Sequence, residues 1–88
     1  MHQTVDRPTT VDQLRKWLTQ AQRNRAARVL IIYDANLDYD YPISIYEAYR
    51  AKEIARDVFE TGPLVIMECY NTLGDIESQL AEYRAFHW

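Results

Sequence analysis

The sequence predicts a small α+β domain with elements in the order α-β-β-α-β-α. Its sheet has two to three strands in a split β-α-β arrangement and is covered by three helices. Three observations carry this prediction. Three segments place apolar residues at helical spacing. Two short runs, Val29–Ile32 and Leu64–Met67, are apolar at consecutive positions, as in strands covered on both faces. Between them Leu37–Ile45 alternates strictly: odd positions are large and apolar, and even positions are Asp38, Asp40, Pro42 and Ser44. With 88 residues the chain has room for one core. A domain of this size buries roughly 60–65% of its unfolded surface. Residues 1–8 are expected to form a tail and residues 9–88 the globular domain.

The first helix is expected over about residues 10–24. Thr9 or Thr10 can cap it, and Gln13 completes a capping box with Thr10. Leu14, Trp17, Leu18 and Ala21 form one apolar stripe. Asp12 lies near the positive end of the helix dipole, and Arg23 and Arg25 near the negative end. The first strand follows over 28–34, with a turn at Asp34-Ala35-Asn36. The alternating segment then returns as a second strand over about 37–43, an edge because Pro42 lacks a donor. An irregular acidic loop over 35–43 is the alternative. Ser44 and Glu47 read as the capping box of a second helix over 45–60. Its apolar face is Ala48, Ala51, Ile54, Ala55, Val58 and Phe59, and Gly62-Pro63 stops it. Leu64–Tyr70 forms the third strand, parallel to the second with the first between them. The third helix is expected over 75–87, with Asp75 and Glu77 at its start and Ile76, Leu80 and Tyr83 buried.

Composition narrows the function. Cys69 is the single cysteine, so there is no internal disulfide framework and no cysteine-built zinc site. No apolar run reaches the ~20 residues of a membrane span, and the first residues lack a signal-peptide core. A cytoplasmic setting is expected. Two glycines leave no phosphate-cradling loop. His2 and His87 sit near the ends, where no rigid frame orients a general base. Cys69 reads as a small buried hydrophobe and Glu68 as the solvent-facing residue of an edge strand. No catalytic residue, cofactor or metal is assigned.

Charge is uneven along the chain. Residues 1–28 hold six basic groups and two acids, while residues 29–88 hold four and eleven. Such a dipole suits a charged partner or head-to-tail self-association. The alternating segment sets Asp34, Asp38 and Asp40 beside Tyr39 and Tyr41. Carboxylates pair with guanidinium groups and tyrosine faces hold cations. These five residues are therefore the expected contact surface of a non-enzymatic binding domain that docks on a basic protein. Small acidic inhibitors of nucleases, phage proteins that block host defence and antitoxins work in this general way.

Two alternatives stay open. One is a nucleic-acid regulator acting through Lys16, Arg23, Arg25 and Arg28, although the chain is acidic overall. The other is a divalent-metal enzyme built on the Asp34–Asp40 segment. Asp34, Asn36 and Asp38 mimic the start of a calcium loop, but Tyr39 and Ile45 stand where that loop needs glycine and glutamate. The apolar third strand, over 64–70, suggests a homodimer through its edge. The aromatic C-terminus, Tyr83, Phe86 and Trp88, is a second possible contact.

Overall fold

A computed structural model describes residues 9–82 and 84–88, so the tail over 1–8 and the burial of Tyr83 lie outside the described residues. The element order follows the expectation: α1 (Val11–Arg23), β1 (Arg28–Asp34), β2 (Tyr39–Ile45), a 3₁₀ turn (Ala48–Arg50), α2 (Ala51–Phe59), β3 (Leu64–Asn71) and α3 (Ile76–Leu80). The sheet order is β2-β1-β3, with β1 antiparallel to both neighbours. β2 and β3 therefore run parallel with β1 between them, the split β-α-β arrangement.

The central strand is apolar on both faces because both faces are covered. Val29 and Ile31 join Leu14, Leu18 and Ala21 of α1, Met67 and Tyr70 of β3, and Leu80 of α3. Leu30 and Ile32 join Ile45, Ala51, Ala55, Val58 and Cys69 on the other side. α1 and α3 thus cover one face and α2 the other.

Helix α1 starts where Thr10 Oγ1 accepts from the Gln13 N–H at 3.1 Å. It ends in a Schellman motif: Arg25 N–H donates to the Gln22 carbonyl and Ala26 N–H to the Ala21 carbonyl. Arg25 holds the left-handed position there, with φ 65°. Arg15 ties α1 to α3 by a two-point bond to Glu77, at 2.8 and 3.0 Å.

Three boundaries differ from the sequence reading. Ser44 does not cap a helix. It stays extended in β2 opposite Val29, and the ladder continues to Ile45. The second helix then begins through the 3₁₀ turn, with no side-chain cap from Glu47. Phe59 leaves the expected apolar face and is 76% exposed. The third helix stops at Leu80, because the following chain covers the β3 edge. Cys69 N–H donates to the Ala85 carbonyl at 2.9 Å, and His87 N–H donates to the Cys69 carbonyl at 2.8 Å. This is a short parallel bridge between Cys69 and Phe86.

Glu68 is not solvent-facing, contrary to expectation; it is 1% exposed. The β1–β3 register shifts between Ile31 and Ile32, which leaves Met67 as the extra residue of a bulge. The bulge resets the strand's alternation. Glu68 consequently stands opposite Ile31, on the face covered by α1 and α3. No helix among the described residues is long and apolar enough to cross a membrane.

Candidate binding surface

The β1–β2 hairpin positions most of the expected contact residues, and local hydrogen bonds fix its shape. The loop runs over residues 35–38, so Leu37 and Asp38 belong to it rather than to a strand. Asp34 Oδ1 accepts from the N–H groups of Asn36 (2.9 Å) and Leu37 (3.2 Å), an Asx turn. Asp38 N–H donates to the Asp34 carbonyl at 2.7 Å. Asp38 takes a left-handed backbone, φ 57°, which aspartate tolerates better than most residues. Ala35 N–H donates to the Pro63 carbonyl, pinning the loop to the α2–β3 connection.

The side chains divide between the two faces of the sheet. Tyr41 and Ile43 pack on the cluster under α2. Tyr39 shares their side of the strand by alternation, and its ring lies 5.7 Å from that of Tyr41 at 38°. Burial is the main cause that raises the Tyr41 phenol above its ordinary pKa. Asp40 points the other way and is 6% exposed, so it leaves the expected acidic surface. The start of α1 covers that side, where Thr9, Thr10, Gln13 and Trp17 line a hollow together with Asp40. Alternation read from sequence assumed a solvated outer face; here the outer face is roofed by a helix.

Asp38 stays exposed in the loop and accepts from the Tyr33 hydroxyl at 2.6 Å. That bond, which holds the phenol proton, is the first cause raising the Tyr33 pKa. The expected surface therefore contracts to Asp34, Asp38, Tyr39 and Tyr41, with Leu37 added at 63% exposure.

Asp34, Asp38 and Asp40 do not converge. One caps the turn, one meets Tyr33 and one faces α1. Among the described residues no three His, Cys, Asp or Glu side chains are grouped to hold a metal ion.

The proposed nucleic-acid contacts also separate. Lys16 and Arg23 share a groove on α1 with Asp12, Arg15, Thr19 and Gln20. Arg25 lies past the helix end. Arg28 is committed to the fold: its Nη1 donates to the Ala27 carbonyl and to Asn71 Oδ1, and its Nε to the Trp88 carbonyl.

Sequence reasoning missed the closing of the β3 edge. Gln79 Oε1 accepts from Asn71 N–H at 2.8 Å, and Gln79 Nε2 donates to the Asn71 carbonyl at 2.9 Å. A side-chain amide here takes the place of a neighbouring strand. Beside it the C-terminal segment covers Cys69, whose thiol is pushed up to about 11 by burial. Phe86 and Trp88 stack with centroids 6.4 Å apart. The periodicity of a five-residue helix carries no signal for any of this. Compared with protein-family models, curated proteins and solved structures, the chain matches none.

Proposed function

We propose that this chain is a non-enzymatic protein-binding domain, a small acidic inhibitor that docks on a basic surface of a nucleic-acid-handling protein. The contact surface is the β1–β2 hairpin: Asp34, Asp38, Tyr39 and Tyr41, with Leu37 at its tip. The observation that carries this reading is the exposed Tyr39, its ring near that of the half-buried Tyr41, beside Asp34 on a loop locked by its own hydrogen bonds. A locked loop loses little freedom on binding, so more of the contact energy appears as affinity. The carboxylates suit guanidinium groups, and the tyrosine faces suit the same cations at about 0.5–2 kcal/mol each.

The test is affinity capture from a lysate with the native chain and three folded variants, Asp38→Asn, Tyr39→Ala and Tyr41→Ala. Asparagine keeps the left-handed turn while removing the charge. The expected result is one basic partner retained by the native chain and weakened about tenfold or more by each variant. A partner held equally by all four proteins would remove the hairpin from the contact.

A further inference from the structure

We propose that this chain also binds a second copy of itself, head to tail, with the hairpin surface of one copy on a cationic aromatic surface of the next. The proposal rests on the hairpin reading for one half of the contact. The other half lies on the opposite edge of the same sheet.

Helix α2 presents two chemically different flanks. Ala51, Ala55 and Val58 face the sheet. At about 100° per residue, Arg50 and Ile54 fall on one side of that line, and Lys52, Arg56 and Phe59 on the other. The first side faces β2, since Arg50 and Ile54 line a small cleft with Ser44, Ile45 and Tyr46. The second side therefore faces β3 and the C-terminal strand. That strand adds two open rings. Ala85 is buried on the α1 side, so Phe86 turns to the α2 side by alternation, and Trp88 stacks on it. Phe59, Phe86 and Trp88 are all exposed.

Arg15 and Arg50 are both paired with carboxylates. Among the described residues neither Lys52 nor Arg56 has a carboxylate at ion-pair distance. One edge of the sheet thus carries Asp34 and Asp38 with the exposed Tyr39 and the half-buried Tyr41, and the other carries Lys52 and Arg56 beside open rings, with Glu60 one helical turn beyond Arg56. Each surface offers what the other lacks: carboxylates for Arg56 and Lys52, and tyrosine faces for the same cations. Because the surfaces differ and lie on opposite edges, the contact is heterologous. It leaves one of each surface open at the ends of every assembly.

Sedimentation velocity from micromolar to millimolar protein, at low and at high salt, tests this. The expected result is a mass that rises with concentration and falls with added salt. Asp38→Lys and Arg56→Glu should each weaken association about tenfold or more. An equimolar mixture of the two should restore it, because each then supplies the charge the other needs. Tyr39→Lys, which leaves the Asp34 turn intact, gives a second variant for the same mixture, and thermal melts confirm folding. A native chain monomeric throughout, or association that ignores both reversals, overturns the proposal. So does a mixture that fails to reassociate. The hairpin reading is judged separately with a polyarginine peptide. Binding lost in Asp38→Lys while the native chain stays monomeric would end self-association and leave the hairpin reading standing.

Discussion

The two edges of the sheet are treated in opposite ways. At β3 the chain closes its own edge: the C-terminal strand takes both peptide groups of Cys69, and the Gln79 amide takes both of Asn71. At β2 no strand is added among the described residues. Instead Pro42 removes a donor from the middle of the strand, and Tyr39 and Tyr41 occupy one of its faces. The closing bonds sit on the C-terminal half of β3, at Cys69 and Asn71, where an uncovered edge would invite pairing with another chain. β2 is already blunted by its proline, so its side chains can remain available for contact.

Removing residues 85–88 should have the largest effect. It takes away the buried Ala85, two backbone hydrogen bonds and the acceptor for Arg28. The expected loss is about 2–3 kcal/mol in urea unfolding, a large share of a small domain's stability. Cys69 should also become reactive towards a thiol reagent, since burial is what raises its pKa to about 11. Pro42→Ala on the other edge should change stability by less than about 0.5 kcal/mol. Equal losses at the two edges would break the comparison.

Gln79→Ala probes the closed edge without shortening the chain. Gln79 is buried, and its loss leaves the Asn71 N–H without its partner, while the Asn71 carbonyl keeps only the Gly74 N–H. The expected cost is about 1–3 kcal/mol by chemical denaturation. Faster hydrogen exchange at the Asn71 amide should accompany it, with the hairpin amides unchanged. Exchange that rises equally in the hairpin would mean that the edges are not independent.

These closing devices mark where sequence reading stopped. The helix α1 stripe and cap, both β1 neighbours and the strand order were legible, because periodicity and turn residues report local structure. Asp40 and Glu68 were misplaced for a tertiary reason. Asp40 is roofed by α1, and Glu68 is turned inward by a one-residue bulge that leaves no periodic trace. The stop at Leu80 was equally invisible, since Ala81–Trp88 contains no glycine or proline and reads as more helix. Of the expected surface, the exposed pair Asp38 and Tyr39 and the half-buried pair Asp34 and Tyr41 lie together at the hairpin. Arg28 was read as a free cation, because the chain end that claims it lies 60 residues away.

Arg25→Gly touches neither edge and serves as the control. Arg25 occupies the left-handed position that glycine fills without cost at a helix end. The substitution should stabilise the fold by about 0.5–1 kcal/mol and leave exchange at both edges in the same ratio. A destabilised variant would show that the Arg25 side chain holds something in the fold.

The smallest effect, and the one that separates the edges by chemistry, is pH. On the closed side, Asp75 is held below the usual carboxylate range by the Ser78 hydroxyl, and Glu77 by Arg15. Both acids belong to the start of α3, the helix that carries Gln79. A depressed folded pKa adds stability above the ordinary carboxylate value and loses it as pH falls through the folded value. On the open side, the bond to Asp38 raises Tyr33. A raised folded pKa adds stability below the ordinary phenol value and loses it as pH rises through the folded value. Acid should therefore loosen the β3 side and alkali the hairpin. Both effects should be modest, because these groups are solvated and screened by salt. Urea midpoints against pH for Glu77→Gln and Tyr33→Phe resolve them. Glu77→Gln should flatten only the acid limb. Tyr33→Phe should flatten only part of the alkaline limb, the remainder including the buried Cys69 thiol on the closed side. If Tyr33→Phe altered the acid limb instead, the phenol would be acting through the Asp38 carboxylate, and the open edge would share the acid sensitivity assigned here to the closed one.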